Sequence, residues 1–190
     1  MRVISGTAKG RRLAAVPGNS TRPITDRVKT ALFNILGEEV IDALFLDLFA
    51  GTGSVGIEAL SRGAAQATFV ERDERAVATI RRNLDTTGLG LRARVVRRDV
   101  FRFSAEYNGR AYDIVHVAPP QYRGLWAQTL QSLDSSATLA HNSTIVVQIF
   151  PKEYAPLHLT RLSLTDQRTY GSTMLCFYQV QAPEREPVDT

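Results

Sequence analysis

The run Asp47-Leu48-Phe49-Ala50-Gly51-Thr52-Gly53-Ser54-Val55-Gly56 takes an apolar strand to an acidic residue and then through glycines into a helix. Gly51 and Gly53 permit a tight turn and let backbone N–H groups approach a ligand with no Cβ in the way. The helix that follows offers its positive N-terminal end. The string also reads GxGxxG, so a dinucleotide site has to be weighed. Asp47 argues against it, because its carboxylate would repel a pyrophosphate there and would attract the α-ammonium of S-adenosylmethionine. The reading therefore favours S-adenosylmethionine over NAD. Close strand-to-helix packing with no ligand is the third possibility that the spacing allows.

A chain of 190 residues with 44% hydrophobic content fits one globular domain with a substantial core. No apolar run approaches the roughly 20 residues of a membrane span, and charged residues stand where a signal peptide needs its apolar stretch. The expectation is a soluble, cytoplasmic protein without a membrane partner. The only cysteine, Cys176, sits in the apolar run Met174-Leu175-Cys176-Phe177-Tyr178, which excludes an internal disulfide and marks a buried strand residue. His116, His141 and His158 are scattered without a second ligand at metal spacing. They read as ordinary core or surface histidines, and no metal is expected.

Charge is unevenly placed. The formal net charge is +4, yet Met1 to Leu36 holds seven basic residues (Arg2, Lys9, Arg11, Arg12, Arg22, Arg27, Lys29) against one acid, Asp26. A polyanionic partner, nucleic acid first, follows from that excess, with a merely solvated basic surface as the alternative.

Arg2 to Gly6 and Arg11 to Val16 are β-like runs flanking Thr7-Ala8-Lys9-Gly10, a hairpin with a basic tip that would project beyond the core. Thr21-Arg22-Pro23-Ile24 reads as an extended linker. Thr25 is a candidate N-cap for a helix that runs to Leu36 and stops at Gly37, with Val28, Leu32 and Ile35 as its apolar face and Phe33 and Leu36 beside it. Strands are expected near residues 44–49, 67–71, 92–97, 112–118 and 143–150, with helices over Ser54 to Arg62, Asp73 to Thr86 and Gly124 to Asp134. That alternation requires a doubly wound, mostly parallel sheet. Leu157 to Asp166 and Ser172 to Val180 follow with no helix between them, so they predict an antiparallel hairpin closing one sheet edge. The division is a basic hairpin and helix appendage over 1–42, a core over 43–181 and a disordered tail over 182–190, rich in Pro and charge.

Ligands of open α/β sheets sit at the carboxyl ends of the strands. Asp47, Glu71 and Asp99 fall at three such ends. Glu71 lies 20 residues after Gly51, a distance at which a carboxylate can accept both ribose hydroxyls, and Asp99 could take the exocyclic amine of adenine. Helix capping and turn formation are the plain alternatives for single acids. The fourth strand then ends in Ala118-Pro119-Pro120-Gln121-Tyr122, a rigid step and an aromatic ring opposite the glycine turn.

Over nearly its whole length the chain resembles the RsmD family of bacterial 16S ribosomal RNA guanine-N2 methyltransferases. The matching stretches are Arg2 to Gly6 with Gly10-Arg11, Arg22-Pro23 through Asn34-Ile35-Leu36, Leu46 through Ala64, and Tyr170-Gly171. The resemblance implies a Rossmann-like class I methyltransferase fold of seven strands, with S-adenosylmethionine as cofactor. It also implies methyl transfer to the exocyclic amine of a guanine in small-subunit rRNA. Asp47, Gly51 and Gly53 would hold the methionine part, Glu71 the ribose and Asp99 the adenine, with Phe49, Ala50, Thr52, Arg72 and Val100 completing the cofactor set. Arg2, Lys9, Arg11, Arg12, Arg22 and Arg27 would contact RNA, either 16S rRNA or a small-subunit assembly intermediate, and a monomer is favoured. Such enzymes normally carry Asp or Asn before Pro-Pro and Tyr or Phe; the polar group accepts from the target amine while the ring stacks on the flipped base. Here Ala118 stands at the acidic position and Gln121 precedes Tyr122. The carbonyls of Ala118 or Pro119, and the Gln121 amide oxygen, are the acceptors that remain. Loss of the side-chain acceptor leaves open an impaired, RNA-binding assembly factor, and the basic segment, which cannot choose between polyanions, leaves open a methyltransferase acting on another nucleic acid.

Overall fold

The computed structural model describes residues 1–18 and 24–181. The linker around Arg22 and the tail over 182–190 lie outside the described residues. Seven strands form one sheet in the order β3-β2-β1-β4-β5-β7-β6: β1 Leu44–Leu48, β2 Gln66–Glu71, β3 Ala93–Arg97, β4 Tyr112–Val117, β5 Leu139–Ile149, β6 Leu162–Tyr170 and β7 Thr173–Val180. Neighbours among β1 to β5 run parallel, and β7 is antiparallel to both β5 and β6. The switch in strand order falls between β1 and β4, the place where such sheets open a crevice at their carboxyl ends.

Among the described residues five α-helices cover the sheet: α1 Asp26–Leu36, α2 Ser54–Ser61, α3 Glu74–Thr87, α4 Val100–Glu106 and α5 Leu125–Asp134. On one face Phe45, Phe69, Ile114, Val146 and Phe177 pack with residues of α1, α2 and α3. On the other, Leu48, Val115, Val117, Ile145 and Val147 pack with Phe103 of α4 and with Trp126 and Leu130 of α5. Each such side chain contributes about 1.5–3 kcal/mol when it leaves water, so the central strands are anchored from both sides.

Helix α1 begins as the sequence predicts, with Thr25 Oγ1 accepting from Val28 N at 3.3 Å. Its buried face differs: Val28, Leu32, Phe33 and Leu36 are inside, while Ile35 is 40% exposed. The short helix α4 is not among the expected elements, because seven residues are too few for helical periodicity to declare itself. β6 starts five residues later than expected. The N–H groups of Thr160, Arg161 and Leu162 are taken by the Asp134 carboxylate at 2.7, 2.7 and 2.9 Å, so ladder pairing begins only at Leu162.

The N-terminal segment corrects a larger expectation. The hairpin forms, short and without projecting: Arg2 and Arg12 make one antiparallel bridge, flanked by Val3 N donating to Arg11 O at 3.0 Å and Leu13 N to Met1 O at 3.2 Å. Val3, Ala8 and Leu13 are buried in the same apolar cluster as α1 and α2. The loop is also bonded to α2: Ile4 N and Ser5 N donate to Glu58 at 2.8 and 2.9 Å, and Ala8 N donates to Ser61 Oγ at 2.9 Å. Gly6 shows how close the approach is. It has φ of 80°, and a Cβ there would fall 1.8 Å from the Ser61 carbonyl oxygen.

Candidate active site

At the end of β1 the chain reverses through Phe49, Gly51 and Gly53, all at positive φ (59°, 56° and 75°). Ala50 N donates to Val70 O at 3.2 Å and Gly53 N to Ala50 O at 2.8 Å, which fixes the turn against β2. Gly53 is the N-cap of α2, and every residue of that helix is buried. The third glycine of the string has a packing role: a Cβ on Gly56 would stand 2.4 Å from Phe69 Cε1, so its absence lets α2 lie directly on β2.

A cavity of about 510 Å³ opens above this turn, within the size range of small-molecule sites. Of the expected cofactor set, Asp47, Phe49, Ala50, Gly51, Thr52, Glu71, Arg72, Asp99 and Val100 line it, and Gly53 does not. Ala118, Pro119, Pro120 and Gln121 line the same cavity. Tyr122 stands apart. It is 69% exposed at φ of 59°, its ring centroid 5.6 Å from that of Phe150 and its N–H donating to Glu153 Oε1 at 2.6 Å.

The three acids differ in what they have left to offer. Glu71 Oε1 accepts from Arg72 N and Asp73 N at 2.8 and 2.9 Å, and Oε2 accepts from Gly51 N at 3.0 Å. A carboxylate has about four acceptor sites, so Glu71 retains one for a ligand hydroxyl where its place in the sequence suggests two. Asp99 caps α4, with Oδ1 accepting from Phe101 N and Arg102 N at 3.0 and 3.3 Å. The same acid thus ends a strand, begins a helix and faces the cavity. Asp47 is 1% exposed; Oδ2 accepts from Gly56 N at 3.0 Å and Oδ1 lies 2.8 Å from His116 Nδ1. Asp73, which also lines the cavity, caps α3. Its carboxyl is held below the ordinary 3.8 by the Ala76 N–H, against its desolvation and with the help of the Arg75 N–H.

His116 and Gln148 are among the cavity residues not foreseen from the sequence. His116 reads there as an ordinary histidine, yet it pairs with Asp47 across β1 and β4 and lines the cavity. Gln148 of β5 lines it as well. The alternation of β4 is the signal that could have found the histidine, since a residue two positions before Ala118 shares its face. Cys176 behaves as expected: buried on β7, with burial pushing its thiol up to about 11. Among the described residues no helix is long and apolar enough to cross a membrane, and no group of three or more His, Cys, Asp or Glu side chains is placed to hold a metal.

Lys9, Arg11, Arg12 and Arg27 are exposed, and Arg2 is engaged with Asp26 at 3.2 Å. Lys29, counted in the same basic excess, is fully buried.

Residues 1–179 match the family described as "Conserved hypothetical protein 95". The chain belongs to that family. Ribosomal RNA small subunit methyltransferase D of Escherichia coli is 36% identical to it over 189 residues, covering 100% of this chain and 94% of that one. The protein of the same name from Haemophilus influenzae is 32% identical over 181 residues, covering 94% and 93%. An Escherichia coli structure described provisionally as the methyltransferase yhhF superposes with a TM-score of 0.86 at 37% identity, covering 96% of this chain and 99% of that one. The fold extends to an RNA methyltransferase from Salinibacter ruber solved with S-adenosyl-L-homocysteine, TM-score 0.65 at 17% identity, covering 88% and 98%. The architecture of this Conserved hypothetical protein 95 chain is that of the class I methyltransferases.

Proposed function

We propose that this chain is an S-adenosylmethionine-dependent methyltransferase that modifies the exocyclic N2 amine of a guanine in 16S rRNA, as naked RNA or within a small-subunit assembly intermediate. The observation that carries the reading is one shared cavity. It brings the acid-lined glycine turn of β1 and the Ala118-Pro119-Pro120-Gln121 step of β4 within reach of one bound molecule and one target. Relatives named for small-subunit rRNA methylation, covering most of both chains, support the substrate class.

The residues fit the cofactor. S-adenosylmethionine supplies a positively charged sulfonium with a methyl group activated for transfer. Asp47, Glu71, Asp73 and Asp99 give the cavity negative character, which suits a cationic ligand. Glu71 would hold one ribose hydroxyl on its remaining acceptor site, Asp99 the adenine amine on Oδ2, and Gly51 leaves room for close approach. Phe101 and Ile149 add apolar wall.

An aryl amine is a weak nucleophile, because its lone pair is delocalised into the ring. The chain's task is to orient it and to receive its hydrogens. Well-placed reactants can recover about 7–11 kcal/mol of a barrier, so positioning by the Pro119-Pro120 step carries much of the catalysis. Tyr122, on a backbone held by Glu153, offers an exposed ring to a splayed base. Arg11, Arg12 and Arg27 would attract phosphates.

Ala118 favours a second reading, an RNA-binding assembly factor without turnover, since the usual polar side chain is missing at that position. Incubation with methyl-labelled S-adenosylmethionine and undermethylated small-subunit particles tests both. Label at N2 of a guanine is the expected result; particle binding with no label supports the second reading, and label on DNA or another RNA moves the substrate.

A further inference from the structure

Two buried acceptors in the cavity have no hydrogen-bond partner among the described residues: His116 Nε2 and Gln148 Oε1. His116 is 3% exposed, with Nδ1 2.8 Å from Asp47 Oδ1. An ionised carboxylate only accepts, so Nδ1 carries the proton of the neutral ring and Nε2 carries the lone pair. Asp47 is itself fixed by the Gly56 N–H at 3.0 Å, which locks the imidazole from behind.

Strand geometry puts both acceptors around Ala118. The Ala118 N–H still donates to Leu48 O at 3.4 Å, so the alternation of β4 continues through it and His116 shares its face. Val117 pairs with Val147, which makes Gln148 the neighbour of Ala118 on β5. An exocyclic amine carries two hydrogens, and two unfilled acceptors flank the place where a side-chain acceptor is lacking.

Resting on the methyl-transfer reading, we propose that His116 Nε2 and Gln148 Oε1 receive the two N–H groups of the target amine, with His116 taking the proton that leaves. The amine nitrogen forms its bond to the methyl carbon as the carbon–sulfur bond breaks, and that electron pair stays on sulfur. The nitrogen, now positive, gives one proton to Nε2. The products are a neutral secondary amine, a neutral thioether and an imidazolium facing the Asp47 carboxylate. Exchange with water after product release restores the neutral ring. The Asp47–His116 pair thereby does from beneath what an acid at position 118 would do directly.

The experiment combines kinetics with ring spectroscopy. In single-turnover methylation of undermethylated small-subunit particles, His116→Phe should slow the chemical step about 10²-fold, while its affinity for S-adenosylhomocysteine stays within about threefold of the parent. Gln148→Leu should slow it less, and adding Ala118→Asn to His116→Phe should restore at least about tenfold. In ¹⁵N-histidine spectra of the unaltered protein, Nδ1 should be the protonated nitrogen. Saturating GMP with S-adenosylhomocysteine should shift the Nε2 resonance towards that of a hydrogen-bonded acceptor. A His116→Phe enzyme as fast as the parent, or an Nε2 resonance unmoved by GMP, overturns the proposal and leaves methyl transfer standing. Absence of label with the unaltered protein overturns the methyl-transfer reading, and the Nε2 resonance then decides the placement of the acceptor by itself.

Discussion

Lys29 Nζ and Glu58 Oε2 lie 3.3 Å apart with both side chains sealed from solvent. Lys29 comes from α1 and Glu58 from α2, and the lysine also donates to Arg2 O at 2.6 Å. Burial pulls the Lys29 ammonium below its ordinary 10.5, and the Glu58 charge opposes that fall. Glu58 serves four donors in all, with Arg62 Nε at 2.9 Å beside the Ile4 and Ser5 amides. Breaking a buried pair by neutralising one partner leaves an uncompensated charge and costs about 3–5 kcal/mol. Glu58→Gln should lower the urea midpoint accordingly, and hydrogen exchange should quicken first at Ile4 and Ser5.

Asp134 predicts an acid-sensitive edge of the sheet. Burial alone would raise its carboxyl. The Thr160 N–H and Oγ1–H, followed by the N–H groups of Arg161 and Leu162, outweigh that and hold it below 3.8. A depressed folded value means the contribution is complete above the unfolded value and is lost as pH falls through the folded one. Stability should therefore decline on acidification below about pH 4, and Asp134→Asn should remove that part of the slope while costing about 2 kcal/mol at neutral pH. Urea unfolding of both proteins across the acid range checks it.

Tyr122 has no packing role that would make its removal expensive, since its ring is mostly in solvent against Phe150. Base stacking on an aromatic ring is worth about 1–3 kcal/mol per base by alanine substitution. Tyr122→Ala should raise KM for the RNA substrate about tenfold, on the lower side of that range, with S-adenosylhomocysteine affinity unchanged in calorimetry.

Arg11 and Arg12 are exposed, and no salt bridge among the described residues involves either of them. Replacing both with Gln should weaken RNA binding and reduce the slope of log K against log salt by about 1 for every phosphate that these arginines neutralise. An unchanged slope in a salt series would move the RNA surface elsewhere on the molecule.

Much of the fold is legible in the residues because it depends on local chemistry. The Asp47 to Gly56 string declares a strand, a turn and a helix through side chains it has and lacks, and the structure places that turn at the strand-order switch. Thr25 announces the start of α1 by the bond that its hydroxyl makes. What stays hidden depends on partners distant in sequence. Glu58 reads as a helical acid until Ile4, Ser5 and Lys29 meet on it, so the N-terminal loop has the pattern of a projection and the packing of a core segment. Asp134 reads as the end of a helix until Thr160 to Leu162 arrive to use it, which is why the apolar pattern of β6 starts ahead of its ladder. His116 reads as a core histidine because nothing nearby in sequence shows that its neighbour across β1 is Asp47.

Helix α2 spans only eight residues, a rod of about 12 Å. Its first turn supplies Ser54 and Val55 to the cavity wall, and its last grips the arginine-bearing loop through Glu58 and Ser61. In the proposed function, grasping a polyanion with that loop and gripping a small cation in that pocket would thus be tasks for opposite tips of the same stiff lever. Under that function, an RNA seated on one tip would be held at a fixed distance and bearing from the chemistry at the other.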